Sequence, residues 1–180
     1  MGFLLDTSVF LEATEREPNP GVLAWLAAID EDDAFICVVT IAELRHYRET
    51  LLTETQRTNL ELWVREGLCC RFAGRVLTID AEIAHACRRI SVLSESMCRP
   101  LELRTALIAA TADVHGLTLV TRHGLDFESI VNDVLTPWTE PAKFKAKLNT
   151  RRGLAPWAKT RPASRISQVV LNDAQGARKR

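Results

Sequence analysis

Short, mostly apolar segments alternate with amphipathic helix patterns along the first 140 residues, and this alternation restricts the fold more than any other feature. Each segment has the length of a strand, and its scarcity of polar residues is typical of strands buried on both faces of a parallel sheet. The segments are "GFLL" (2–5), "AFICVV" (34–39), "RVLTI" (75–79) and "LTLVT" (117–121). The alternation predicts an α/β domain with a mainly parallel sheet, whose ligand site lies at the carboxyl ends of the strands.

Several of the helix patterns have recognisable ends. Thr40 followed three residues later by Glu43 is the spacing of a capping box, which predicts a helix beginning at residue 40. Asp80 is placed to cap the long amphipathic segment that follows the third strand. A further helix is predicted over residues 104–114, and Gly116 supplies its stop.

The length of 180 residues suits one compact domain with an appendage. Residues 1–140 contain 22 acidic and 12 basic residues, whereas residues 141–180 contain one acid and 11 bases. We therefore place a domain boundary near residue 140, between an acidic domain and a basic C-terminal extension. The extension either grips RNA, with Phe144 and Trp157 stacking on bases, or is a flexible segment that only offsets the acidic domain.

Composition excludes several classes of protein. No apolar run reaches the roughly 20 residues of a membrane helix, and Asp6 interrupts any signal-peptide core, which predicts a cytoplasmic protein without a membrane partner. The five cysteines are an odd number without CxxC spacing. This argues against a disulfide framework and against a zinc knuckle.

Three acidic residues stand at the junctions between strands and the segments that follow them. Asp6 follows the first strand, Glu43 lies in the first turn of the helix after the second, and Asp126 lies just beyond the fourth. These junctions share one edge of a parallel sheet, so the side chains can converge. Carboxylates without His or Cys partners suit Mg²⁺ or Mn²⁺, and such ions support hydrolysis of phosphodiesters. The pattern favours a metal-dependent nuclease.

Each acid also has a local explanation, and a second enzyme class fits Asp6. Asp6 could form a turn with Thr7 and Ser8, Glu43 could complete the capping box, and Asp126 could cap a turn. Asp6 at a strand end is also compatible with a phosphatase nucleophile. Haloacid-dehalogenase-like phosphatases carry a second Asp two residues later, however, and Ser8 occupies that position.

Four motifs together resemble a known family. They are "LLDTSVFLE", "VVTIAELRHY", "RPLELRTALIAATADVHGLTLVTRHGLDF" and the closing "VLTPW", in this order over residues 2 to about 138. They are similar to the PIN-domain toxins of bacterial type II toxin–antitoxin modules, of the VapC and FitB type. The resemblance implies a three-layer α/β/α fold, Mg²⁺-dependent endoribonuclease activity on RNA, a homodimer and a cognate antitoxin.

The resemblance also assigns acidic residues of this chain to the acidic positions of the family's active site. Asp6 matches the first acid of the family, Glu43 the second and Asp126 the fourth, which makes all three candidate catalytic residues and metal ligands. The third acid usually begins the segment "DALIAATA", and here that position is Thr105, which could instead be the N-cap of the helix that follows. Glu102 lies one helical turn earlier, about 4.5 Å along the helix axis, and is a candidate replacement ligand.

Two further positions match the family where a Thr-Arg pair precedes the last acid. Thr121 is predicted to position a substrate or water oxygen, and Arg122 is predicted either to meet phosphate or to pair only with surface acids. Two functions follow from the whole pattern. The protein is expected to be a ribonuclease toxin whose site is weakened by Thr105, or a catalytically degenerate PIN protein that only binds an antitoxin and takes part in operator regulation.

Overall fold

The computed structural model describes residues 2–12, 15, 17–51, 53–127 and 129–139. The predicted extension over 141–180 lies outside these residues. Its suggested contacts with RNA, and the boundary near residue 140, therefore stay predictions. Within the described residues, no helix combines the length and apolar character needed to cross a membrane.

A parallel sheet of five strands forms the centre of the described chain. The strands are β1 (Phe3–Leu5), β2 (Ala34–Cys37), β3 (Val76–Leu77), β4 (Thr118–Val120) and β5 (Val134–Leu135). Their order in the sheet is β3-β2-β1-β4-β5, and every neighbouring pair is parallel. The predicted parallel sheet is confirmed. β5 was not predicted, because two residues are too few to show a periodic pattern.

Helices connect the strands. They are α1 (Thr7–Glu12), α2 (Pro20–Ala28), α3 (Val38–Tyr47), α4 (Glu54–Leu62), α5 (Cys69–Arg71), α6 (Ala81–Ser96), α7 (Leu103–Val114) and α8 (Gly124–Phe127). A π-helical segment, Trp63–Leu68, joins α4 to α5, and short 3-10 turns cover Glu31–Asp33 and Arg48–Thr50.

The two faces of the sheet carry separate hydrophobic cores. Leu4 and Leu119 belong to one core with residues of α6 and α7. Leu5 and Val120, the next residues along the same strands, belong to the other core with Trp25 of α2. Successive side chains of a strand point to opposite faces, so each strand contributes to both cores. The arrangement confirms the predicted three-layer α/β/α fold.

The predicted capping box at Thr40 is wrong. α3 begins at Val38, directly after β2, so Thr40 lies inside the helix. It is fully buried, and its hydroxyl donates to the Leu5 carbonyl over 3.5 Å. The sequence misplaced this boundary because Val38 and Val39 continue the apolar run of the strand but pack against the core from the helix.

The sequence also suggested helix caps at Asp80 and Thr105, of which the first is confirmed and the second is wrong. Asp80 caps α6 as predicted, since the Ile83 N–H donates to its carboxylate over 2.9 Å. Thr105 had an alternative reading as the N-cap of its helix. α7 begins at Leu103 with Glu102 as N-cap, so Thr105 is instead in the first turn.

The chain reverses its direction of travel across the sheet between β1 and β4. From β1 it moves outward through β2 to β3, and it then returns to β4 on the other side of β1. Such a switch point opens a crevice at the carboxyl ends of the two strands. Asp6 follows β1 directly and Thr121 follows β4, so both lie at this crevice.

Candidate active site at the switch point of the sheet

Asp6 is held in place by both its backbone and its side chain. Its N–H donates to the Val120 carbonyl over 3.0 Å, which ties the end of β1 to β4. Its Oδ2 accepts hydrogen bonds from the Ser8 hydroxyl at 2.7 Å and the Thr121 hydroxyl at 2.8 Å. Both bonds fall on one carboxylate oxygen, so Oδ1 remains a possible ligand atom.

The loop after β4 fixes the orientation of these two hydroxyls. The Arg122 N–H donates to Ser8 Oγ over 3.1 Å, and the His123 N–H donates to Thr121 Oγ1 over 3.2 Å. Each hydroxyl oxygen accepts from the backbone while it donates its own hydrogen to Asp6. The carboxylate of Asp6 therefore stands in a preformed network rather than on a freely rotating side chain.

Glu43 projects from the second turn of α3 and is held by two donors. The Thr7 hydroxyl donates to its Oε2, and Arg104 Nε lies 3.3 Å from its Oε1. Burial raises the pKa of the Glu43 carboxyl above 4.5, and the negative charges of Asp6 and Glu102 raise it further. The hydrogen bond from Thr7 and the charge of Arg104 lower this pKa and oppose those effects in part. A cation beside Glu43 would relieve the same repulsion.

A pocket of about 810 Å³ joins these groups at the carboxyl edge of the sheet. Among the residues lining it are Asp6, Glu43, Glu102, Thr105, Thr121 and Asp126. The structure thus brings all the predicted acidic positions to one pocket. Within the described part of the chain, however, no three His, Cys, Asp or Glu side chains lie close enough to hold one metal ion.

The donor atoms fit a hard divalent cation in kind, because they are carboxylate and hydroxyl oxygens. Asp6 and Glu43 provide a pair of carboxylates rather than a cluster of three. Mg²⁺ is often bound through one or two protein carboxylates, with water and substrate phosphate completing its shell. The pocket therefore fits such an ion with few protein ligands.

Thr105, the position where the family resemblance predicted an acid, lies in the pocket. Thr105 lines the pocket from the first turn of α7, where an Asp would add a further negative charge. Its neighbour Arg104 brings a positive charge instead, and its Nη2 lies 2.5 Å from Glu102 Oε2. The carboxylate of Glu102, the predicted replacement ligand, is thus engaged by an arginine.

Arg122 lies next to the site, but its side chain is directed to other partners. Its guanidinium forms an ion pair with the buried Glu12 and stacks over the Trp138 ring at 5.4 Å. Glu12 also accepts from the Trp138 indole N–H at 2.8 Å and the Asn19 backbone N–H at 2.6 Å. Arg122 is absent from the lining of the pocket among the described residues. Its predicted contact with phosphate therefore finds no support in this geometry.

Three site residues were not given functional roles from the sequence. Thr7 and Ser8 were considered only as turn residues, although "DTS" places two hydroxyls directly beside Asp6. These two hydroxyls were the feature of the sequence from which hydrogen bonds at the site could have been predicted. Arg104 gave no signal, because its contact with Glu43 joins residues on different helices.

The fold and the pocket define an α/β protein with a carboxylate-lined site at the switch point of its sheet. The family model described as PIN domain matches residues 3–131. The chain belongs to the PIN-domain family.

Named relatives refine this assignment. The chain is 32% identical over 135 residues to toxin FitB of Neisseria gonorrhoeae, a match covering 75% of this chain and 97% of the relative. It is 30% identical over 139 residues to VapC ribonuclease Y4jK of Sinorhizobium fredii, covering 77% and 99%. A crystal structure of FitAcB from Neisseria gonorrhoeae superposes with a TM-score of 0.71 at 31% identity, covering 76% of this chain and 99% of that one. The chain is thus similar to PIN-domain proteins of the VapC and FitB type.

Proposed function

We propose that this protein is a metal-dependent endoribonuclease and the toxin component of a type II toxin–antitoxin system. The observation that carries the proposal is the pocket at the switch point, which Asp6, Glu43 and Asp126 all line in a PIN-domain chain. The relative named VapC ribonuclease supports RNA as the substrate. Relatives of known structure support a cognate antitoxin as partner, since one is the FitAB complex bound to a DNA fragment. A homodimer in the cytoplasm completes the proposal.

The proposed cofactor is Mg²⁺ or Mn²⁺, with Asp6 and Glu43 as its first ligands and Asp126 and Glu102 as further candidates. When bound, such an ion supplies an activated water and stabilises negative charge on the phosphodiester. Ser8 and Thr121 orient the Asp6 carboxylate toward the pocket through their hydrogen bonds. Thr121 is also proposed to position a substrate oxygen.

Thr105 is proposed to weaken this site rather than to abolish it. Thr105→Asp restores a carboxylate in the first turn of α7, and we expect it to strengthen Mn²⁺ binding and to increase RNA cleavage by about tenfold or more. Calorimetric titration with Mn²⁺ and a cleavage assay on single-stranded RNA measure the two effects. Asp6→Asn is the control and should remove both metal binding and cleavage. A folded Thr105→Asp protein that remains inactive would contradict the proposal.

The second candidate function is that of a degenerate PIN protein that binds an antitoxin without cleaving RNA. Thr105 and the contact between Arg104 and Glu43 favour it, because both reduce the negative charge available to a metal ion. This function predicts a tight antitoxin complex that occupies operator DNA while the wild-type protein cleaves nothing. RNA cleavage that disappears in Asp6→Asn would exclude it.

A further inference from the structure

The negative charge of the pocket opposes the binding of an RNA substrate. Among the described residues, four carboxylates line it, those of Asp6, Glu43, Glu102 and Asp126. RNA is a polyanion, and its phosphates would be repelled unless cations also face the pocket. Arg122 is bound to Glu12, so its charge is already compensated. Among the described arginines, those that do line the pocket are Arg99 and Arg104.

Of these two arginines, Arg104 is the one in contact with the acidic groups. Its Nε lies 3.3 Å from Glu43 and its Nη2 lies 2.5 Å from Glu102, so one planar guanidinium spans two carboxylates. Arg99 instead donates to the backbone carbonyl of Leu125 over 3.3 Å. Arg104 therefore partly compensates the charge of the acids that the proposed metal ion would otherwise meet.

The side chain of Arg104 is free enough to exchange partners. It is 52% exposed, and ion pairs of that exposure contribute little to stability because water competes with them. Guanidinium groups bind phosphate through paired N–H donors as readily as they bind carboxylate. An ion arriving at Glu43 would displace Arg104 at small cost and leave its donors facing the same pocket.

We infer that Arg104 is the phosphate-binding residue of this pocket. In the free protein its guanidinium neutralises Glu43 and Glu102. In the RNA complex it contacts a phosphate oxygen, while the divalent ion takes its place at Glu43. The inference rests on the proposed function as a metal-dependent ribonuclease, and it transfers to Arg104 the role that the sequence suggested for Arg122.

The test measures two affinities of the full-length protein with opposite expected changes. Mn²⁺ binding is measured by calorimetry without RNA, and binding of a short fluorescein-labelled single-stranded RNA is measured by anisotropy in saturating Ca²⁺, so that a divalent ion occupies Glu43 and Arg104 is released from it. In Arg104→Gln we expect Mn²⁺ to bind about threefold more tightly, because a competing cation is removed. RNA should bind about fivefold more weakly, with a salt dependence reduced by about 0.7 in logarithmic slope.

Arg45→Gln is the matched control. Arg45 is 50% exposed and lies 3.4 Å from Glu61, so its environment resembles that of Arg104, but it is not among the residues lining the pocket. We expect both affinities of Arg45→Gln to equal those of the wild type. The basic residues beyond position 140 are identical in all three proteins, so any RNA affinity they supply cancels in the ratios.

The remaining outcomes overturn the inference in distinguishable ways. Weaker binding of both ligands by Arg104→Gln would indicate a merely structural role. A change in only one affinity, or in neither, would show that one guanidinium does not serve both ligands, while the metal site itself stands. If the wild type and Arg104→Gln bind neither Mn²⁺ nor RNA, the proposed function fails together with the inference.

Discussion

Two arginine–glutamate pairs lie next to the candidate site, and they differ in how completely each carboxylate is satisfied. The Glu12 side chain is 5% exposed and receives Arg122, the Trp138 indole N–H and the Asn19 N–H. The Glu43 side chain is 20% exposed and receives the Thr7 hydroxyl and the half-exposed Arg104. Both pairs join residues that are distant in sequence, but only Glu43 faces the pocket.

The same two residue types therefore stabilise the fold in one pair and face the candidate site in the other. A buried carboxylate with several donors is expensive to disrupt, because removing one partner leaves the others unpaired. Glu12 therefore links α1 to the residues after β4 through Arg122, and to the residues after β5 through Trp138. Glu43 keeps a raised pKa and an exchangeable partner, which suits its proposed role as a metal ligand.

The largest expected effect is a difference in stability between alanine variants of the two glutamates. Glu12→Ala should lower the free energy of unfolding by about 3 kcal/mol, because it removes a buried carboxylate that accepts from three donors. Glu43→Ala should lower it by less than about 1 kcal/mol, because its arginine partner is half exposed. Urea denaturation of both variants measures the difference. Equal losses would show that the two pairs are of the same kind.

The next effect concerns the indole donor to Glu12. Trp138→Phe keeps an aromatic ring for Arg122 but removes the N–H that lies 2.8 Å from the carboxylate. We expect a loss of about 1.5 kcal/mol in the free energy of unfolding, the typical contribution of a hydrogen bond to a charged group. Trp63→Phe, at a partly buried ring beside Phe10, is the control and should cost less. A larger loss in the control would argue against the role of the indole N–H.

The smallest effect is the pH dependence that Glu43 contributes. Its pKa is raised above 4.5 in the folded protein, so between 4.5 and the raised value the folded state retains a proton that the unfolded chain has released. Stability therefore falls as pH rises through this interval. Glu43→Gln removes this dependence and should gain stability relative to the wild type as pH rises. Urea denaturation of both proteins at several pH values below and above 4.5 measures this pH dependence. If the free energies of unfolding of the two proteins change with pH in parallel, the raised pKa is contradicted.

The sequence predicted the sheet well and its shortest elements poorly. β1 and β4 were found because each is an apolar run followed by a polar junction. α1, at Thr7–Glu12, was missed because Thr7 and Ser8 fitted a turn equally well. The start of α3 was misplaced because an apolar run does not show where a buried strand becomes a buried helix.

The sequence by itself determined where the acids stand along the chain. A parallel sheet brings the ends of its strands to one edge, so the positions of Asp6 and Asp126 after strands already predicted a shared site. The resemblance to the PIN-domain toxins also singled out Thr105 as a position where an acid was expected. Family membership followed from the same motifs.

Only the tertiary structure decided which partner each charged group has. Thr7 and Glu43 are 36 residues apart, and Glu12 and Arg122 are 110 apart. Local propensity carries no information about such pairs, because a hydrogen bond or an ion pair depends on distance in space after the layers have packed. For that reason the sequence could name Arg122 as a phosphate ligand, whereas packing committed it to Glu12 and left Arg104 facing the pocket.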